Sequence, residues 1–161
     1  MATGADAPKK STLEVGQPAP DFALNDHNGN LVTLSNLRGK NVVLFFYPKD
    51  DSPSCTREAC SFRDQYADFR EAGAEIFGIN GESANSHRGF ADRQSLTYPL
   101  LTDTGGAVRK AYGVPAILGL FTSRITFVID SEGIVQHIVR DSGSQRHVRE
   151  ALETVKRMAD R

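Results

Sequence analysis

The run NVVLFFYP, residues 41–48, constrains this chain more than any other stretch. Six apolar residues in succession, Val42 to Tyr47, end at Pro48. A strand with one wet face would alternate polar and apolar side chains, so an uninterrupted run needs cover on both faces. AEIFGIN (74–80) reads as the next strand and YPLLTD as a short one. ITFVID (125–130) and GIVQHIVR (133–140) flank the turn residues Ser131, Glu132 and Gly133 and are expected to pair as an antiparallel hairpin. A further hairpin is expected around Asn28-Gly29, within DFALNDHNGNLVTL.

Helical patterns lie between these strands. From about Ser54 to Glu71, Ala59, Phe62, Tyr66 and Phe69 recur at three- and four-residue steps, with Gly73 just beyond. SANSHRGFADRQS reads as a second helix with Phe90 facing inward, and GAVRKAYGV as a short one closed by Gly113. A last helix is expected over about 145–159, with Val148, Leu152, Val155 and Met158 on one side. The order predicts an α/β chain: a central mixed sheet flanked by helices, preceded by an N-terminal hairpin. That is compatible with a thioredoxin-like fold, although the C-x-x-C of thioredoxins is replaced here by C-x4-C.

At 161 residues, the chain is large enough to bury a substantial core as one domain, expected over 15–161 after a mobile tail at 1–14. The tail lacks the apolar block of a secretory signal. Its Ala, Thr, Ser and Lys content leaves a trimmed transit-peptide remnant open, against which Asp6 and Glu14 count. A formal net charge of −1 gives no electrostatic pull toward nucleic acid or an anionic membrane, and no apolar run approaches a membrane span of roughly 20 residues. Cys55 and Cys60 are the only cysteines. Two thiols are too few for a disulfide scaffold and point to catalytic, redox or metal chemistry in a reducing compartment.

Ser52 followed by Pro53 is a helix-start signal: a hydroxyl N-cap with proline at the first helical position. In that register Cys55 is the third helical residue, where unpaired N–H groups and the positive end of the helix dipole favour a thiolate. Thiolate supply alone does not make a fast enzyme, because nucleophilicity falls as a thiol becomes more acidic. Attack on a peroxide also needs donors aimed at its oxygens. Five helical residues place the two cysteine Cα atoms roughly 8.7 Å apart on nearly opposite sides, whereas a disulfide wants about 4.4–6.8 Å. An intact helix therefore cannot carry a Cys55–Cys60 bond: either the two never pair, or the first turns unwind when they do.

PKDDSPSC followed by CTREAC resembles the active-site segment of peroxiredoxins of the Q type, the bacterioferritin comigratory protein group. Pro48, Ser52 and Cys55 match the pattern P-x-x-x-T/S-x-x-C, and the resemblance continues through GQPAPDFAL, GAEIFGIN, SHRGFA, YPLLTD and RITFVID. It implies that Cys55 attacks hydrogen peroxide or an alkyl hydroperoxide and becomes a sulfenic acid. Cys60 would then resolve it as an intramolecular disulfide. By the same resemblance Ser52 hydrogen-bonds peroxide, Pro48 shields the pocket and Arg124 polarises thiolate and peroxide. Thioredoxin or a similar dithiol protein is the implied reductant, with no metal, haem or flavin. A monomer in the cytoplasm is expected, with a plastid stroma as second choice. The group usually has Gly before the peroxidatic cysteine; Ser54 stands there, which bears on peroxide access and on unwinding of the first turn.

Two other classes compete. A peroxide-responsive redox sensor would use the same disulfide switch with incidental turnover. A metal module would have only half a tetrahedral shell from two thiolates. Among remaining residues, Ser52 can also serve simply as a cap, and Arg57 reads as solvated. Glu58 either orients an arginine or simply suits a first helical turn. The four histidines are scattered, with His87 read as helix surface.

Overall fold

The computed structural model describes residues 13–119 and 121–160, so the first twelve residues of the expected tail lie outside it. Of the last two, Leu13 is buried and its carbonyl accepts a bond from Arg140 Nη2. A hairpin of β1 (Ala23–Asn25) and β2 (Leu31–Thr33) leads into β3 (Asn41–Phe46), α1 (Pro53–Asp64) and α2 (Tyr66–Glu71). Next come β4 (Ala74–Asn80), α3 (Ala84–Gln94), β5 (Leu100–Thr102) and α4 (Ala107–Ala111). A small hairpin, β6 (Ala116–Ile117) and β7 (Phe121–Thr122), precedes β8 (Ile125–Ile129), β9 (Val135–Arg140) and α5 (Gln145–Ala159).

The main sheet runs β9-β8-β3-β4-β5. Strands β3, β4 and β5 are parallel; β8 is antiparallel to both β3 and β9. The apolar run sits at the centre, and its pleat explains it. Val43, Phe45 and Tyr47 point to one core with Phe62, Phe90 and Val148, while Val42, Leu44 and Phe46 point to another with Phe22, Tyr112 and Phe127. The expected mixed sheet, both hairpins and the thioredoxin-like layering are all present. The closing helix matches residue for residue.

The boundaries of one helix need correction, and one small hairpin is new. The single helix expected over Ser54–Glu71 breaks at Gln65, whose backbone leaves the helical region at φ −107°, ψ 13°. No Gly or Pro marks the break, and the apolar pattern continues across it because both pieces use the same face: Phe62 and Phe69 lie with ring centroids 5.6 Å apart. The β6–β7 hairpin was not anticipated; two-residue strands are too short to show a period.

Gly78 on β4 leaves the space that aromatic packing needs. A Cβ there would stand 2.8 Å from Leu100 Cδ2 and 2.9 Å from Phe45 Cζ, while Phe45 itself stacks on Phe62 at 4.6 Å. Gly78→Ala is therefore expected to cost about 1–3 kcal/mol through overpacking. An unchanged denaturation midpoint would show that Leu100 and Phe45 yield freely.

Candidate active site

The helix start folds as its residues dictate. Ser52 is extended (φ −70°, ψ 150°), Pro53 is the first helical residue, and Cys55 N–H donates to Ser52 Oγ at 3.4 Å. Ser52 Oγ in turn donates to the carbonyl of Lys49 at 3.1 Å, so this hydroxyl caps the helix and ties it to the preceding loop. The loop is held at two further points. Asp51 adopts a left-handed backbone (φ 67°) and pairs with Arg93 of α3, and Asp50 is buried.

Asp50 is the centre of a polar cluster. Its carboxylate accepts from Tyr47 Oη (2.5 Å), Ser86 Oγ (2.6 Å) and His87 Nδ1 (2.7 Å). Burial raises its pKa, but the bonds from His87, Ser86 and Tyr47 outweigh that and hold it below the usual carboxylate range. His87 is thus not on the helix surface: it is fully buried, because α3 turns it toward Tyr47 and Asp50, just past β3. The three-residue step from His87 to Phe90 was the signal for this, and it went unused.

Cys55 is completely buried in the core beneath α1. Arg124, just before β8, reaches it from 69 residues away, with Nη2 at 3.4 Å from Sγ. The same nitrogen donates to Ser54 Oγ at 2.9 Å, Nη1 donates to Glu58 Oε1 at 2.6 Å, and Nε donates to the Ser142 carbonyl at 3.0 Å. The Arg124 side chain is only 7% exposed. Burial works against its charge, yet Glu58 and Cys55 beside it raise its pKa overall. A guanidinium fixed by four acceptors cannot swing away, which is what preorganised charge stabilisation requires. Ser54, where a glycine was expected by resemblance, is one of these anchors.

Arg124 and Pro48 line one cleft of about 340 Å³ with Pro115, Ile117 and Ile125, largely apolar in its walls. A second cavity of about 320 Å³ also borders Pro48 and is lined by Phe46, Asn80 and Arg109; Cys55 lines neither. Pro48 therefore forms part of both walls. Arg57 is exposed, as expected.

Cys60 faces elsewhere. It is half-buried on the same unbroken helix, and its thiol donates to Gln94 Oε1 at 3.4 Å near the end of α3. Both cysteines are free thiols. The structure thus brings together Ser52, Cys55, Arg124 and Pro48 and leaves Cys60 apart.

Sequence reasoning left Glu58 undecided and passed over His147 and Thr126. Glu58 is fully buried, and burial pushes its pKa up to about 8 despite the pull of Arg124. His147 Nδ1 lies 2.8 Å from Thr126 Oγ1 and 3.8 Å from Glu58 Oε2. The four-residue spacing of His147, Ala151 and Val155 placed that histidine on the buried stripe of α5.

The chain matches a known family over most of its length. The AhpC/TSA family profile matches residues 15–138. A chloroplastic peroxiredoxin Q of Arabidopsis thaliana is 47% identical over 143 residues, covering 88% of this chain and 66% of that protein. The counterpart in Triticum aestivum is 43% identical over 145 residues, covering 89% and 67%. The chain thus spans about two thirds of the length of these plant relatives. Among solved structures, peroxidoxin BcpB of Mycobacterium tuberculosis superposes with a TM-score of 0.84 at 36% identity, over 91% of this chain and 98% of that one. The bacterioferritin comigratory protein of Xanthomonas campestris gives 0.82 at 30% identity, over 91% and 98%. With the helix-start thiol and its arginine in place, and likeness running through nearly the whole fold, the chain belongs to the AhpC/TSA family as a peroxiredoxin of the Q type.

Proposed function

We propose that this protein reduces hydrogen peroxide and alkyl hydroperoxides at Cys55, resolves the product with Cys60, and is returned to the dithiol form by thioredoxin or a similar dithiol reductant. The observation that carries this is the Cys55 sulfur held at a helix start and 3.4 Å from a guanidinium that cannot turn away. In the first step the Cys55 thiolate attacks one peroxide oxygen and the O–O bond breaks. Sulfur is oxidised by two electrons to a sulfenic acid, and the departing oxygen takes up a proton to leave as water or an alcohol. Arg124 N–H groups stabilise the charge as it moves from sulfur to that oxygen. The Cys60 sulfur then attacks the sulfenic sulfur, a disulfide forms and water leaves. The reductant supplies two electrons and two protons to restore both thiols.

Pro48 walls the cleft, and its apolar lining suits an alkyl group; the structure of the Xanthomonas campestris relative is described in terms of alkyl peroxide reduction. Ser52 is read as a cap that also presents its hydroxyl to peroxide once the Lys49 carbonyl releases it. Residues 15–161 act as one catalytic domain and as a monomer. Among the described residues the exposed large apolar side chains are Val15, Leu31, Ile117 and Leu118. The cytoplasm is the first choice of compartment. The plastid stroma comes second, in line with the chloroplastic naming of the plant relatives.

Peroxide consumption coupled to thioredoxin, thioredoxin reductase and NADPH tests the proposal. Sustained turnover supports it, whereas a single stoichiometric oxidation identifies a sensor. Cys60→Ser is expected to form the sulfenic acid at the parental rate and to turn over poorly with thioredoxin. Because both cysteines lie in one unbroken helix, the disulfide requires that helix to open. Amide exchange over residues 52–61 should speed up on oxidation. Unchanged protection there, or equal turnover by Cys60→Ser and the parent, would remove Cys60 from the cycle.

A further inference from the structure

Arg124 grips the helix that has to open. Of its four acceptors, Ser54, Cys55 and Glu58 lie on α1, while the Ser142 carbonyl lies in the loop after β9. Arg124 itself sits between β7 and β8. The guanidinium thus ties the first two turns of α1 to segments outside that helix. Ser54, the second residue of α1, is half-buried and makes the closer contact from the first turn. Its Oγ accepts from Nη2 at 2.9 Å, against 3.4 Å for Cys55 Sγ.

Attack on peroxide as described above needs no hydroxyl at position 54. Peroxiredoxins of the Q type usually have glycine there, which offers Arg124 nothing to hold and leaves the backbone freer to quit the helix. We infer that Ser54 is a brake on resolution: its bond to Arg124 keeps the first turn of α1 wound after Cys55 is oxidised, and so prolongs the life of the sulfenic acid. The inference deepens the proposed capture of Cys55 by Cys60 and depends on it. Ser54 is a positioning residue, acting through Arg124 and the helix and not on peroxide.

A hydrogen bond to a charged donor shifts an equilibrium by about tenfold or more, and this one breaks whenever the first turn opens. The Ser52 cap and the bond from the Cys60 thiol to Gln94 oppose opening as well, but neither involves position 54. A longer-lived sulfenic acid meets a second peroxide more often. That peroxide oxidises the sulfur by two further electrons to a sulfinic acid; its O–O bond breaks, one oxygen stays on sulfur and the other leaves as water or an alcohol. Ser54 therefore also lowers the peroxide level at which the protein is inactivated.

Three variants separate the hydroxyl from the backbone. Ser54→Ala removes the bond yet installs a better helix former, so propensity alone would slow opening. Ser54→Gly removes the bond and adds backbone freedom, and Ser54→Thr keeps a hydroxyl. After one equivalent of hydrogen peroxide, rapid quenching with dimedone and mass spectrometry follow sulfenic acid and disulfide against time. In Ser54→Ala the disulfide should form about tenfold faster. Sulfenic acid formation should slow in the same variant, because Arg124 has one anchor fewer. Ser54→Gly should resolve at least as fast, and Ser54→Thr at the parental pace. The peroxide concentration that gives half sulfinic acid should rise about tenfold in Ser54→Ala. A merely structural role would not move the two steps in opposite directions. Resolution in Ser54→Ala no faster than in the parent overturns the inference, even if Ser54→Gly is fast, since the effect would then lie in the backbone. Failure of the peroxidase reading gives a different result: the parent itself would yield neither dimedone adduct nor disulfide, and the inference would fall with it.

Discussion

Cys55→Ser should consume no measurable peroxide in the coupled assay, while retaining the fold. Serine is nearly isosteric with cysteine, and Arg124 Nη2, now 3.4 Å from Sγ, can donate to the new hydroxyl, so the buried oxygen is not left unpartnered. Circular dichroism and the denaturation midpoint should therefore stay close to the parent's. The chemistry does not survive. A serine hydroxyl is not ionised at neutral pH, and the guanidinium beside it only donates and cannot take its proton. Cys60 does not substitute, because its thiol faces Gln94 on α3 and, among the described residues, no cation donates to it as Arg124 does to Cys55. Turnover above a few per cent in this variant would mean that peroxide is attacked elsewhere, and Cys60 would be the first place to look.

Arg124→Gln should slow sulfenic acid formation by about 100- to 1000-fold, the usual cost of removing a donor aimed at developing charge. The change leaves Glu58 buried without its cation, a situation that ordinarily costs several kcal/mol. Here Glu58 can stay protonated, so the loss of stability should be smaller, about 1–3 kcal/mol from the vacated hydrogen bonds at Ser54, Ser142 and Glu58. Arg124→Lys separates charge from geometry. A single ammonium cannot reach Cys55, Ser54, Glu58 and the Ser142 carbonyl together, so it should recover stability better than rate. Rapid mixing with peroxide at neutral pH gives the rate, and urea unfolding gives the stability. A parental rate in Arg124→Gln would show that the helix start alone activates the sulfur.

The two largest effects fall on residues whose legibility differed. The setting of Cys55 could be read from four consecutive residues, because N-capping by Ser52 and a proline at the first helical position are local events that hardly depend on the rest of the chain. The impossibility of a Cys55–Cys60 bond in an intact helix follows from the same local geometry. Arg124 was reached only through family resemblance; nothing adjacent to SRITFVID indicates that its side chain crosses to α1.

Sequence alone located the main strands and helices, apart from the break at Gln65 and the β6–β7 hairpin, and showed that β3 must be covered on both faces and that one thiol opens a helix. Those properties depend on periodicity and on neighbours within a turn or two. The tertiary structure alone decided which polar groups lose water. Glu58 could as well have been an exposed first-turn glutamate, and His87 and His147 surface histidines. Each is buried because α3, α5 and the segment before β8 close over positions far away in the chain. Burial and charge pairing are set by what packs from elsewhere, so the acid–base character of this site emerges only when the sheet brings residues 52–58, 124–126 and 147 together.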